Sequence, residues 1–386
     1  MPKGLDTQVR LSIIHSFYRS KFPSGENNAV LDQIRLLAKS GHEVTLISRK
    51  SDDIGFLKTL RSAINVSFYA GSDPSDELRD SNPELIHVHN LFPNFGYRWL
   101  ENIHIPVVAT FHNFRPFCSA GTFMRSGSEC FSCPEESSIS ALTNKCYRDS
   151  TIASLPLSIA TRGSGRHNPL LTNAKEVIVL SEYAKDKYEK FGPKTLEAHV
   201  LPNFAYPDVS PSAFRTKGNW WVFVGRLSEE KGIERLLEVW PRDEIIHVYG
   251  VGPLEPHLKE RFGPQANIHF RGFLDPLKRS QILRQAIGLI FPSTCKENSP
   301  LIVGEAFSVG LPIVAYSENV VGEEISRNGA GQVFANFQDV EKALSNVRKN
   351  RDQASVEALN LYGSRFSPEV WLRKVTAIYE SAMDQI

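Results

Sequence analysis

Residues 291–317, FPSTCKENSPLIVGEAFSVGLPIVAYS, read as strand, loop, helix, strand, the repeating unit of an α/β sheet. The apolar run 287–291 stops at Pro292 and Ser293, and a second run, 312–315, follows a stop at Gly310. A helix is expected to start between them near Pro300. A proline is tolerated there because first-turn N–H groups have no helical partner. Asn298 and Ser299 stand ahead of it, residue types that cap helix starts. Free N–H groups and the positive end of the helix dipole make such a start a site for an anion. Two carboxylates frame it, Glu297 in the loop and Glu305 on the helix. Either alone would read as a solvated surface residue. Glu305, however, stands among Val303, Gly304, Ala306 and Phe307, where a carboxylate needs a partner or a ligand.

The same alternation runs through the rest of the chain. In the N-terminal half it predicts a buried strand over 9–16, a loop (FYRSKFPSGE), a helix over 27–40 closed by Gly41, and a strand over 43–48. Gly25 in that loop lets a backbone approach a ligand closely, or is a plain turn glycine. Strands over 85–89 and 106–111 carry His87, His89 and His112 at their ends. His112 is the strongest candidate, lying just beyond a strand's carboxyl end, where α/β sheets place ligands. Residues 113–149 then break the pattern. They hold Cys118, Cys130, Cys133 and Cys146 in a segment rich in Ser, Gly and Pro, with few apolar residues expected to hold it. Four thiolates with one C-x2-C pair suit a structural zinc; four unlinked thiols are the plainer reading. A helix over 151–162, broken by Pro156, reads as a core helix or as an acceptor or membrane-surface contact. A strand over 176–180 and a helix over 182–191, capped by Ser181, close this half.

Residues 201–218, with three prolines and no periodicity, read as a domain boundary. A strand over 220–224 restarts the alternation and leads into Gly225-Arg226-Leu227-Ser228-Glu229-Glu230-Lys231-Gly232. An Arg fork and a Lys point charge after a strand end suit a diphosphate, although such pairs are often surface cations. The strand over 245–252 enters a G-x-G turn, Gly250 and Gly252, without the third glycine of a dinucleotide fingerprint. A strand over 267–273 follows. Gly322-Glu323-Glu324-Ile325 is expected on the nucleotide side. Helices are expected over 337–348, 356–366 and 368–385, the last capped by Ser367 with Trp371, Val375, Ile378 and Tyr379 on one face.

Length and charge narrow the function. A chain of 386 residues holds two ordinary domains, and a formal net charge of +1 gives no bulk case for nucleic acid. No apolar run reaches the ~18 residues a membrane span needs. The opening MPKGLDTQVRLSII lacks the apolar core of a signal peptide, so a cytoplasmic chain is expected.

The pattern Glu297-x7-Glu305, continued by Ala306-x3-Gly310-x-Pro-Ile-Val-Ala, resembles the donor-site signature of retaining GT-B glycosyltransferases of the family-four group, the glycogen synthase and sucrose synthase-like enzymes. The resemblance implies an α/β protein with two Rossmann-like domains facing a central cleft. These are an acceptor-side domain, 1–205, with the Cys-rich insertion 113–149, and a nucleotide-sugar donor domain, 206–366. A crossover helix, 367–386, would return to the first. It implies that Glu297 contacts the donor sugar, Glu305 the ribose diol, and Arg226 and Lys231 the diphosphate, with His112 at the reaction centre. Gly25, Gly225, Gly250, Gly252, Asn298, Ser299, Pro300 and Leu301 would complete the donor site. It further implies retention of anomeric configuration without a covalent intermediate, a UDP-linked donor and a glycan or lipid-linked acceptor. Use in surface polysaccharide or glycolipid synthesis would bring peripheral contact with the inner face of the membrane. The chain contains no Asp-x-Asp, the usual sequence sign of a metal-bound diphosphate, so no cofactor is expected for catalysis. Two rivals fit less well: a GT-B nucleotide-sugar epimerase, and a non-catalytic zinc-stabilised binding module.

Overall fold

The computed structural model describes residues 8–17, 25–50, 63–207 and 218–385. The chain forms two compact units, one of Met1–Pro202 with Trp371–Ile386, the other of Asn203–Val370. Each is built on a six-stranded sheet whose strands pair in parallel.

In the first unit the strands are β1 (Arg10–Phe17), β2 (Glu43–Lys50), β3 (Leu85–Asn90), β4 (Val107–Phe111), β5 (Glu176–Val179) and β6 (Ala198–Val200), in the order β2-β1-β3-β4-β5-β6. β4 and β5 are buried along their whole length, as sheets covered on both faces require. Helix α1 (Gly25–Lys39) buries Val30 and Leu37 completely, and Gly25 is its first residue. Pro23 and Ser24 of the preceding loop lie outside the described residues. Helix α2 (Thr151–Ala160) contains Pro156, and α3 (Glu182–Phe191) is capped by Ser181, whose side chain accepts from the Ala184 N–H.

One expectation is corrected here. The cysteine-rich segment is not short of apolar anchors. Phe114, Phe117 and Phe123 are 0–1 % exposed and meet Tyr188 or Phe191 of α3 at ring-centroid distances of 5.0 to 6.2 Å. Aromatic residues bury enough area to order such a segment from few positions.

In the second unit the strands are β7 (Trp221–Val224), β8 (Ile246–Tyr249), β9 (Ile268–Gly272), β10 (Leu289–Phe291), β11 (Ile313–Tyr316) and β12 (Gly331–Phe334). Their order is β9-β8-β7-β10-β11-β12. Chain direction across the sheet reverses between β7 and β10, the switch point at which open α/β sheets bind ligands. In the first unit the same reversal falls between β1 and β3. The helices that matter below are α4 (Ile233–Glu238), α5 (Pro276–Gln285), α6 (Leu301–Ser308) and α7 (Val320–Asn328).

The C-terminal helix, Pro368–Asp384, belongs to the first unit from Trp371 onward. Trp371, Val375, Ile378, Tyr379 and Ala382 are buried along one face at helical spacing. Polar contacts fix its register. Tyr379 lies 2.7 Å from His87 Nδ1, and Ser381 and Gln385 donate to the buried Glu176 at 2.6 and 2.8 Å. Among the described residues no helix is long and apolar enough to cross a membrane.

Candidate active site

The second unit gathers charge at the carboxyl ends of β7 and β10, the strands that flank its switch point. After β7 the chain makes one short 3-10 turn, Glu229–Lys231, and Gly232 ends it in the left-handed conformation at φ +66°. A Cβ on Gly232 would lie 2.1 Å from the Pro292 carbonyl oxygen, so only glycine lets this turn reach the loop after β10. The two loops are then tied together. The Thr294 N–H and the Ser293 hydroxyl both donate to the Glu230 carbonyl, at 3.0 and 3.1 Å. Asn319, fully buried, caps α7 through its side-chain oxygen and donates its amide to the Ser293 carbonyl at 2.8 Å.

This arrangement brings Lys231 to Glu297, with Nζ 2.5 Å from Oε2. Burial, the largest single influence, works against the ammonium charge, but Glu297, Cys295 and Glu230 together outweigh it and the Lys231 pKa is raised. The other carboxylate oxygen, Glu297 Oε1, is buried without a hydrogen-bond partner among the described residues. Such an oxygen is costly unless something donates to it. Cys295, two residues earlier, is a buried thiol pushed up to about 11, first by burial and then by Glu297.

Glu305 is held differently. It pairs with Arg279 of α5, both side chains half-buried. Ser299 does not cap α6. Its hydroxyl and carbonyl accept from the Asn203 N–H and side-chain amide, at 2.9 and 3.1 Å. Pro300 is the N-cap rather than the first helical residue, and no side chain caps this start. Arg226 is exposed at the end of β7, with no ion pair among the described residues. Gly250 and Gly252 have a packing reason. A Cβ on them would lie 1.8 Å from the Gly225 carbonyl oxygen and 2.3 Å from that of Leu227. They let the loop after β8 run against the loop after β7, where Gly225 and Leu227 donate to Tyr249 and Val251 at 3.0 and 3.1 Å. Glu323 pairs with Lys296 at 3.0 Å and Glu324 with Arg365 at 2.6 Å.

In the first unit, three imidazoles line up across the switch point: His15 near the end of β1, His89 in β3 and His112 just after β4. His89 Nδ1 is 3.1 Å from His112 Nε2, so one ring donates to the other. His15 Nε2 meets Asn27 Oδ1 at 3.0 Å, and His87, one pleat back, meets Thr110 at 2.8 Å. All four stay neutral well below the usual imidazole range. Burial is the main cause, bringing His15 to about 4 and both His87 and His112 to about 3. For His89 the neighbouring imidazoles add to burial. His89 and His112 line an open pocket with Phe92, Tyr97, Asn113 and Arg115.

The four clustered cysteines are free thiols. They feel one another: Cys133 is pushed up to about 12 by burial and then by Cys118, Cys146 and Cys130. Among the described residues no group of three or more His, Cys, Asp or Glu side chains that could hold a metal ion is present.

Two family models match the chain: Glycosyltransferase Family 4 over residues 23–208 and Glycosyl transferases group 1 over residues 218–350. The chain belongs to the GT-B glycosyltransferases of the family-four group. This glycosyltransferase has no sequence match among curated proteins. Its fold is shared with solved structures. Sucrose-phosphate synthase from Thermosynechococcus elongatus superposes with a TM-score of 0.70 at 15% identity, over 97% of this chain and 99% of that one. Anabaena HepE in complex with UDP-glucose gives 0.62 at 15%, over 97% and 100%. WaaG, a glycosyltransferase involved in lipopolysaccharide biosynthesis, gives 0.62 at 16%, over 95% and 99%.

Within the glycosyltransferase, sequence reasoning missed Arg279 and Asn319. Each acts on a residue 26 positions away, and nothing local marks either one. The cation-lined cavity around Arg115 was equally silent.

Proposed function

We propose that this glycosyltransferase retains anomeric configuration, takes a UDP-linked sugar and transfers it to a glycan or lipid-linked hydroxyl. One observation carries the reading: the Lys231–Glu297 pair at the switch point, with Glu297 Oε1 buried and unpartnered among the described residues. That oxygen suits a sugar hydroxyl as donor. Lys231 has N–H donors beyond the one facing Glu297, and Arg226 is exposed nearby in sequence; both suit diphosphate oxygens. The uncapped start of α6 suits the same charge. Glu305, steadied by Arg279, suits a ribose diol.

In the reaction the bond between sugar C1 and the phosphate oxygen breaks. The acceptor oxygen bonds to C1 on the same face, and its proton passes to the leaving phosphate oxygen. Negative charge grows on the diphosphate in the transition state, and fixed cations stabilise that state more than the ground state. His112, neutral, offers a hydrogen bond rather than a charge. HepE, a fold neighbour, binds UDP and UDP-glucose, which supports the choice of base. Exposed Ile139, Ile152 and Leu155 support an acceptor held at a lipid surface.

The test is nucleoside diphosphate release from a panel of UDP-, GDP- and ADP-sugars, with NMR of the product linkage. The expected result is preference for one UDP-sugar, an α-linked product from an α-linked donor, and no sugar on the protein by mass spectrometry. An inverted product or a glycosylated protein defeats the mechanism. Conversion of the donor alone to a new sugar nucleotide identifies an epimerase instead.

The structural zinc at Cys118, Cys130, Cys133 and Cys146 is proposed on their spacing alone, since the four side chains are not gathered into a metal-holding group in this structure. Metal analysis of the purified chain is expected to find about one zinc per molecule. A value near zero, with the fold intact, removes it.

A further inference from the structure

The open pocket in the first unit is walled by Phe92, Tyr97, Phe111 and the neutral pair His89 and His112. Among the described residues that line it, Arg115 alone carries a formal charge, and none is Asp or Glu. A guanidinium cannot shed its proton to escape such a setting. Arg115 is half-buried; its Nη1 donates to the Ser119 carbonyl at 3.1 Å, and among the described residues it has no ion-pair partner and its buried Nε no hydrogen bond. It is nonetheless positioned firmly. Its carbon centre sits 4.3 Å from the Phe92 ring centroid and 5.8 Å from that of Tyr147, and its backbone N–H is held by Asn113 at 3.0 Å. A guanidinium held over a ring in this way keeps N–H donors to meet an oxyanion.

We propose that this cavity takes an acceptor bearing an anionic group, a phosphate or a carboxylate, which Arg115 binds. The proposal rests on the transferase reading and names the class of substrate within it. A neutral sugar would leave the cation uncompensated among aromatic rings, whereas an oxyanion supplies the missing charge and fills its open donors. The neutral histidines are part of the selection: they offer hydrogen bonds to hydroxyls without adding charge that would compete for the anion.

The test uses three probes on the full chain: glucose, glucose 6-phosphate and glucuronate, with binding followed by ligand-observed NMR. At least one charged probe is expected to bind tenfold or more tightly than glucose, and which one separates phosphate from carboxylate. In Arg115→Gln the preference is expected to fall at least fivefold, while Arg115→Lys keeps part of it. Absence of any preference in the wild type, or a preference that survives Arg115→Gln, overturns the proposal. Because the first arm needs only the wild type, a poorly folded variant does not rescue it. Donor cleavage by the wild type is read separately. A chain that prefers the charged probe yet cleaves no donor fails the transferase reading and keeps this one.

Discussion

Replacing Lys231 with Met is expected to slow transfer by two to three orders of magnitude at saturating donor, roughly the 3–4 kcal/mol that one preorganised electrostatic contact contributes to a transition state. Lys231 is 2.5 Å from Glu297, and its charge is favoured there in spite of burial. Methionine keeps the length and removes the cation, so the leaving diphosphate loses a positive neighbour. The variant also strips Glu297 of its counter-ion. That carboxylate retains some solvent access, so the stability cost is smaller than for a deeply buried pair. The two residues act as a unit. Glu297→Gln should therefore cost a similar factor, and the double variant should be little worse than either single one. Rate measurements on the three proteins, with thermal melts as a folding control, decide the matter. A rate within tenfold of wild type for Lys231→Met removes this pair from the mechanism.

The second large effect concerns acid. His15, His87, His89 and His112 all have depressed pKa values in the folded state. In the unfolded chain each takes up a proton near pH 6.5, while the folded chain resists until far lower. The unfolded state thus binds more protons in this range, and stability rises with pH. The contribution is present in full above pH 6.5 and drains away as pH falls toward 4 for His15, and toward 3 for His87 and His112. At pH 5 the shifts of His15, His87 and His112 amount to on the order of 2 kcal/mol each, and His89 acts in the same direction, so together they remove much of the stability of an ordinary domain. Carboxylates titrate mostly below that window; His42, just ahead of β2 and also shifted down by burial, acts in the same direction. Hydrogen exchange of the amides in β1, β3 and β4 reads this unit alone. Their protection is expected to fall steeply between pH 7 and 5; protection independent of pH over that span would falsify the neutral cluster.

How much of this was written in the sequence depends on how local each signal is. β4 and β5 announce themselves because strands buried on both faces must be continuous apolar runs. The start of α3 was equally legible, since a Ser181 cap and the helix it begins are adjacent in the chain. Lys231 and Glu297 stood out by spacing and by family resemblance, and they meet in space. β12 was not foreseen: Gly331 is its first residue and Gly329 stands just ahead of it, and glycine weakens any strand pattern. β6, with three residues, is too short to show a period. Ser299 has the chemistry of a cap but is committed to Asn203, a contact spanning 96 positions that no local rule can see. Arg279 is similar. Its partner Glu305 is visible as a carboxylate in apolar company, but many cations could have answered it. The aromatic core beneath the cysteines was overlooked because Phe114, Phe117 and Phe123 follow no regular spacing.

The contact between Gly232 and Pro292 carries a last implication. Because a single missing methyl group lets one turn nestle against its neighbour, the ammonium and the carboxylate are brought together while the polypeptide folds, before any sugar nucleotide arrives. An incoming substrate meets a charge pattern already in place, and the entropy of assembling that pattern is lost during folding rather than at each catalytic cycle.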